Sequence, residues 1–563
     1  MGRIVAATLS VALLICAPVA VRAANAPIRA DQGMVVSQNH MASRIGADVL
    51  EAGGSAVDAA VATAFALVVT HPAAGNIGGG GFLVYRPDEG EPVAYDFREK
   101  APAGADEEMW LEDGEYSFER HHMSHAAVGV PGTVAGLYMA WRDEGRLPWA
   151  RLVRPAVRLA REGITVSHGL AESLAGALPR MEAYPASLAQ FSRDGEPYRP
   201  GDVLVQEDLA DTLERIAEHG PDGFYRGRTA QLIVDEMERG GGLITLQDLA
   251  EYEPRRREPI RGSYRGYEVL GMPPPSSGGV VLVEMLNILE GFDLGELGFG
   301  TPATLHRMAE AMRRAYADRA RHLGDPDFNP DMPVARLISE AHARKRRESI
   351  DLQHASESVP GAFTWPVESD ETTHFSIVDA DRNAVSLTYT LEWSYGSGIV
   401  VPGGGFLLNN ELGDFNPVPG LTDERGLIGT EPNLTEPGKR PLSSMSPTIL
   451  ARDDELFMVT GTPGGRTIIN TVLQTVLNVV DHDMNAQTAV DAGRIHHQWL
   501  PDVLRYERHG FSRDSLDRLR AMGHTLEERD RQGAAEVIVV NPETGVLEAG
   551  VDRRVPDGGA AGY

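Results

Sequence analysis

The sequence predicts a mixed α/β fold of the α+β kind, with sheets sandwiched between helices, and two observations carry that reading. Runs with strand character lie at residues 82–85, 92–97, 375–378, 384–390, 456–460 and 536–540, and helical runs lie at 59–69, 303–322 and 468–481. The two kinds are mixed without strict βαβ alternation and without a repeat of fixed period, which points to layers of sheet and helix.

In chain order, Ser55 with Asp58 three residues on opens a capped helix whose body, 59–69, is apolar on every face and so belongs inside the core. It stops at His71-Pro72, and the glycines 78–81 lead into the strands 82–85 and 92–97. After the helix 303–322, residues 353–371 are polar, hold Pro360 and Pro366 and follow neither period, so an exposed, mobile connector is expected there. The alternating runs 373–378 and 384–390 then flank Asp379-Ala380-Asp381-Arg382-Asn383, whose composition is that of a tight hairpin loop. Pairing Val378 with Ala384 across this loop sets Thr372 opposite Thr390.

The 563 residues are ample for a large core, and 61 Gly with 36 Pro stay below the roughly 25–30 % that marks low complexity. A formal net charge of -29 disfavours nucleic acid and anionic membrane as partners, without implying a cationic substrate. Arg3, an apolar run over 4–21 and the small-residue site Val21-Arg22-Ala23 read as a secretory signal over residues 1–23, so the mature chain is expected to begin near Ala24 and to be exported, periplasmic or secreted. A lipoprotein site at Leu13-Leu14-Ile15-Cys16 is disfavoured by the bulk of Ile15. Cys16 is the only cysteine and leaves with the signal, which excludes thiol chemistry. No later apolar run is long enough to cross a bilayer.

A threonine hydroxyl needs an adjacent base to act as a nucleophile, and its own amino group serves if the chain is cut before it. An α-amino group titrates at about 7.7–8.0, close to working pH. Cleavage between Glu371 and Thr372 by the Thr372 hydroxyl is therefore expected, with Thr390 hydrogen-bonding the nucleophile; an ordinary Thr-rich strand would carry the same residues. His374, on the same strand face as Thr372, is an alternative base. Arg98 after a strand suits bidentate grip of a carboxylate, or a surface ion pair with Glu99. Glu411 and Asp414, near an expected strand end, suit an ammonium group. Gly464-Gly465 could aim backbone N–H groups at an oxyanion or merely form a turn; the run 461–466 lacks the ending of a phosphate loop. His121, His122 and His125, and the pair His496-His497, lack the carboxylate and cysteine partners of a familiar metal site.

An ordered series of motifs accompanies the hairpin: Gly53-Gly54-Ser55-Ala56-Val57-Asp58, Asn76-Ile77-Gly78-Gly79-Gly80-Gly81, Asp96-Phe97-Arg98-Glu99, Pro274-Pro275-Ser276-Ser277-Gly278-Gly279, Leu408-Asn409-Asn410-Glu411, Arg440-Pro441-Leu442-Ser443-Ser444 and Pro463-Gly464-Gly465. From about Gln32 to Tyr563 the chain resembles the γ-glutamyltranspeptidases, a family of N-terminal nucleophile hydrolases. The resemblance implies an αββα sandwich of two mainly antiparallel sheets, matured by autocleavage into a large subunit (24–371) and a small catalytic subunit (372–563) that form one composite domain and a heterodimer. It implies that Thr372 takes up the γ-glutamyl group of a compound such as glutathione and passes it to water, an amino acid or a peptide, with no metal or organic cofactor. Arg98, Ser443 and Ser444 would bind the substrate α-carboxylate, Asp414 with Glu411 its α-amino group, and residues 416–438 match a lid over the glutamyl pocket. At Glu392 many members carry Asn while others, which this chain resembles here, carry Glu; the carboxylate would strengthen binding of the amine, and the substrate preference of the Asn type is not carried over. On the same scaffold, a glutaryl or cephalosporin acylase and a poly-γ-glutamate-processing enzyme are alternatives, as is an exported binding protein for glutamyl peptides.

Overall fold

Two antiparallel sheets of seven strands each stack face to face at the centre of the chain. The computed structural model describes residues 25–359, 372–420, 422 and 429–563. The expected signal, Glu371, most of the connector and part of the lid-like segment lie outside the described residues.

One sheet runs, edge to edge, through Arg255–Arg257, Val93–Phe97, Gly80–Arg86, Ala384–Thr390, Thr373–Val378, Met34–Ser37 and Gly559–Gly562. The other runs through Ile28–Ala30, Leu547–Val551, Glu536–Val540, Glu455–Gly461, Thr448–Arg452, Tyr267–Gly271 and Ile260–Tyr264. Period-two alternation divides the strand side chains between three apolar layers. Phe82, Val84, Val36 and Val378 of the first sheet meet Ile449, Val459, Ile538 and Leu270 of the second. On its outer face the first sheet offers Leu83, Tyr85, Phe375, Ile377 and Leu387 to the helix Ala56–Thr70. The second offers Val269, Leu450, Met458 and Val537 to the helices Gly278–Leu289, Pro302–His322 and Thr467–Val480. The αββα sandwich is thus the fold observed.

The hairpin of Thr373–Val378 and Ala384–Thr390 has the expected register: Val378 faces Ala384 and Thr373 faces Tyr389, so the next step outward brings Thr372 to Thr390. Its loop is closed by the Asp379 carboxylate, which accepts from the backbone N–H of Asp381 and Asn383, each at 3.0 Å. The same carboxylate accepts from Ala56 N at 3.0 Å, tying the hairpin to the first turn of the helix that Ser55 and Asp58 cap with a reciprocal capping box. Every residue of that helix is buried. Where residues 353–359 are described they have neither helix nor strand, yet they are not wholly free of the body. Ser356 N donates to Glu310 at 3.1 Å and Ser358 N to Asp502 at 2.7 Å.

Candidate active site

Thr372 is 4 % exposed and sits at the mouth end of the hairpin, on the parity of His374, Ser376 and Val378, whose side chains enter the layer between the sheets. Near it that layer is polar rather than apolar. His374 Nδ1 shares a hydrogen with Thr388 Oγ1 at 2.9 Å and Nε2 with Ser376 Oγ at 3.1 Å. Ser376 Oγ and Ser386 Oγ donate across to the carbonyls of Glu536 and Thr460 at 3.0 and 2.9 Å. Burial pushes His374 down to about 3, so it is neutral, and both of its nitrogens are engaged. Its hydrogen bonds to Thr388 and Ser376 stay within the first sheet and hold the hairpin strands together, a different task from the catalytic base the sequence allows.

A narrow cleft opens at Thr372 and is lined by Arg98, Thr390, Glu392, Glu411, Asp414, Ser443, Ser444 and Gly465. Every predicted site residue among those described is thereby brought to one place except Gly464, which stands one residue behind. Thr390 is held from two sides: its Oγ1 accepts from Glu392 N at 3.0 Å, and its carbonyl accepts from Asn76 Nδ2 at 2.8 Å. The glycines after Asn76 have a steric reason, since a Cβ on Gly79 would stand 2.1 Å from the Thr390 carbonyl oxygen. Glu392 has φ 80°, an unusual conformation for a non-glycine residue, and its carboxylate accepts from Asn410 Nδ2.

Arg98 follows the strand Val93–Phe97, and the Asp96 side chain fixes it by accepting from Arg98 N at 3.0 Å. Its guanidinium is fully buried, which corrects the surface ion pair: Nη1 and Nη2 donate to Glu411 and Asp414, and Glu99 lies 3.7 Å from Nη1. One cation therefore faces three carboxylates. Burial weighs against the Arg98 charge, but Glu411, Asp414 and Glu99 outweigh it and hold the guanidinium protonated. Burial likewise raises Glu99 to about 7 and Glu411 well above the usual carboxylate range, opposed in both by Arg98. Glu411 and Asp414 lie on a 3-10 turn, Glu411–Asp414, and not at a strand end. Asn409 anchors that turn, its Oδ1 accepting from Glu411 N at 3.0 Å while its Nδ2 donates to Gly78 O and Gly129 O, both at 2.8 Å.

Ser443 Oγ accepts from Met445 N at 3.1 Å, the local loop bond its sequence suggests, while Ser444 Oγ accepts from Arg319 Nη2 at 3.0 Å. Arg319 Nε also donates to Ser277 Oγ at 2.8 Å, and Ser277 Oγ and N donate to Ser443 O at 2.7 and 2.8 Å. The Pro-Pro-Ser-Ser loop and the helix Pro302–His322 thus form the floor under the two serines. Gly464, with φ 128°, and Gly465, with φ 52°, connect the strand Glu455–Gly461 to the helix Thr467–Val480. Gly465, just before that helix, and Ile468, in its first turn, line the cleft, and the positive end of a helix favours developing negative charge.

Asn76, Asn409, Asn410, Ser277 and Arg319 are the positioning residues that the sequence reading left without a role. Apart from Arg319, which lies in the helix Pro302–His322, they are asparagines and a serine near glycines or prolines, but their partners lie far away in sequence. The histidines pair otherwise than their spacing suggests, and both clusters do meet a carboxylate in space. His125 Nε2 lies 2.8 Å from Glu236 and His497 Nε2 lies 3.1 Å from Asp502, whereas the rings of His121 and His122 pack at 4.3 Å. Among the described residues, the groups close enough to share an ion are His306 with Glu310 and His524, and Glu284 with Asp318 and His342.

A family model described as gamma-glutamyltranspeptidase matches residues 42–563. A glutathione hydrolase proenzyme from Escherichia coli K12 is 48 % identical over 545 residues, 95 % of this chain and 93 % of that protein. Among solved structures, a cephalosporin acylase from Bacillus halodurans superposes with TM-score 0.84 at 30 % identity, covering 96 % of this chain and 97 % of its own. A Helicobacter pylori gamma-glutamyltranspeptidase chain is 46 % identical with TM-score 0.55, covering 56 % of this chain and 91 % of its own.

Proposed function

The chain belongs to the γ-glutamyltranspeptidase family, and from that premise we propose that it is an exported enzyme that cuts itself before Thr372 and then transfers or hydrolyses γ-glutamyl groups, with glutathione as donor. The carrying observation is the cleft in which Thr372 shares walls with one buried guanidinium and the carboxylates of Glu392, Glu411 and Asp414. An α-amino acid head group brings one carboxylate and one ammonium, so it can exchange ion pairs with Arg98 and its acids while its side-chain amide reaches Thr372.

In maturation the Thr372 Oγ attacks the carbonyl carbon of Glu371, the C–N bond breaks, and the proton lost by the hydroxyl passes to the nitrogen, which becomes the new amine. Water then hydrolyses the ester, leaving a carboxylate at residue 371 and fragments 24–371 and 372–563. In turnover that amine accepts the Thr372 hydroxyl proton as Oγ attacks the γ-carbonyl, and hands it to the departing amine. The γ-glutamyl ester is resolved when water or an acceptor amine attacks its carbonyl, the proton lost by the attacker returning through the Thr372 amine to Oγ. The oxyanion of each tetrahedral state falls to the backbone N–H groups of Gly464 and Gly465, and Thr390 orients the nucleophile. Arg98, Ser443 and Ser444 take the α-carboxylate, and Asp414, Glu411 and Glu392 the ammonium. These steps need no metal or organic cofactor. No helix among the described residues is long and apolar enough to cross a membrane.

Thr372→Ala is expected to give one uncut band on a denaturing gel and to lose γ-glutamyl-anilide turnover by at least about a thousandfold. A parent preparation that is active yet wholly uncut would sink the proposal. The likeness to a cephalosporin acylase favours one rival substrate class, glutaryl amides, which lack the ammonium. Turnover of glutaryl amides above glutathione would select it.

A further inference from the structure

The helices Gly278–Leu289, Pro302–His322 and Glu340–Glu348 each bring one side chain to a common point, Glu284, Asp318 and His342, and none of the three lines the cleft at Thr372. One donor atom from each lies within 4.8 Å of the other two. We propose that these side chains form a structural site for a divalent transition ion of the zinc class, which ties the three helices together and takes no part in the chemistry at Thr372.

Glu284 is fully buried, and neither of its carboxylate oxygens has a hydrogen bond among the described residues. A carboxylate in that setting is costly unless a cation meets it. His342 Nε2 stands 3.3 Å from Glu284 Oε1 and 2.9 Å from Asp318 Oδ2, and Arg346 Nε–H points at the same nitrogen from 3.3 Å. One ring nitrogen cannot accept from Arg346 and also donate to a carboxylate, and ionised carboxylates only accept. An ion among the three satisfies every lone pair at once. Metal bonds of about 2.0–2.2 Å to nitrogen and oxygen set neighbouring donor atoms roughly 2.8–3.6 Å apart, and both distances from His342 Nε2 fall in that range. An imidazole with two carboxylates suits zinc better than calcium, which takes an all-oxygen shell, and the two negative charges equal the charge of the ion. Arg346 donates to Asp318 from outside the trio, Nε to Oδ2 at 2.9 Å and Nη2 to Oδ1, as outer partners orient metal ligands elsewhere. The His342 side chain is 13 % exposed, which gives an ion a way in from solvent. The trio of His306, Glu310 and His524 differs because its atoms are already engaged. Glu310 accepts from Arg314 at 2.6 Å and from Ser356 N at 3.1 Å, and His306 Nδ1 meets His524 Nε2 at 2.8 Å. Glu340–Glu348 is the last described helix before Thr372, so an ion here fixes the base from which the connector to residue 371 departs.

The test uses the full protein made without a histidine tag, stripped with EDTA, freed of chelator and titrated with Zn²⁺ alone. Calorimetry, metal content after gel filtration and melting temperature are the readouts, so the result stands apart from the γ-glutamyl reading. The parent is expected to keep one ion per molecule with a micromolar or tighter Kd, and to melt about two degrees higher at a hundredfold excess of Zn²⁺ over that Kd. Glu284→Gln and His342→Gln are each expected to weaken binding at least about a hundredfold, while His524→Gln leaves it unchanged. Each variant is compared with the parent by its melting temperature in EDTA, and where one fails to fold, the ion content of the parent decides. A parent that retains no ion would overturn the site and leave a proton on His342 as the occupant. Parental affinity in both Glu284→Gln and His342→Gln would overturn it too, as would binding lost in His524→Gln alone, which would move the ion to the other trio.

Discussion

In the proposed reading, Arg98 concentrates the specificity of the site in one side chain. A single guanidinium buried among Glu99, Glu411 and Asp414 cannot neutralise all three, and burial accordingly raises Glu99 and Glu411 toward their neutral forms. A zwitterionic glutamyl head leaves the net charge of the cluster unchanged and brings a second cation to the acids, whereas a simple dicarboxylate adds only the sign already in excess. Arg98→Lys keeps the charge and loses the fork, so one of the two carboxylate contacts must be surrendered. The expected result is a KM for the γ-glutamyl donor raised about 10- to 100-fold, or about 1.4–2.8 kcal/mol, with a smaller fall in kcat. Steady-state kinetics on matured protein measures it, and an unchanged KM would remove Arg98 from the carboxylate site. Arg98 and its acids could be picked out of the sequence as types suited to the task. Their mutual pairing could not, because it joins positions more than three hundred residues apart.

The elements that were easiest to read are those whose local chemistry agrees with their surroundings. The hairpin that follows Thr372 declares its register through a two-residue period and an Asp/Asn loop, and the helix Ala56–Thr70 declares its start through a capping box. The helix Gly278–Leu289 is absent from the predicted elements because it opens on two glycines and is apolar apart from Glu284 and Asn287, a pattern shared with a buried strand. Trp149–Glu162 hides behind Pro155 in its interior. The turn Glu411–Asp414 has no period to read and is defined by Asn409 instead. The glycine pair before Thr467–Val480 reads in the sequence as a backbone donor site or a turn, and the structure adds why glycine stands there. At φ 128° a Cβ on Gly464 would stand 2.5 Å from Thr467 Oγ1. Gly464→Ala should therefore tilt the loop that carries the Gly465 N–H, lowering kcat about 10- to 1000-fold while the donor KM moves little. A loss confined to KM would place the loop in binding and not in stabilising the oxyanion.

Across the molecule, the proposed cut at Thr372 divides the sequence but neither sheet. In the first sheet Ala384–Thr390 and Thr373–Val378 lie between Gly80–Arg86 and Met34–Ser37, so two strands of the small fragment are flanked on both sides by strands of the large one. In the second, Thr448–Arg452 pairs with Tyr267–Gly271, and Leu547–Val551 pairs with Ile28–Ala30. The layer between the sheets draws Phe82 and Val84 from one fragment and Ile449, Val459 and Ile538 from the other, all fully buried. Such an interface is a domain core cut in two, held by apolar burial and ladder hydrogen bonds that salt does not screen. The Ser358 N–H donating to Asp502, and Arg313 donating to the same carboxylate, add ties between the fragments near the new terminus. Matured protein is therefore expected to elute as one species in size-exclusion chromatography at 1 M salt, to give two bands only when denatured, and to melt in a single transition. Separation of the fragments by salt alone, without denaturant, would mean that the sandwich is not the shared core of both. It would also leave Thr372 without the Asn76 amide that holds Thr390 opposite it, so activity should be lost with the first separated molecules and not after them.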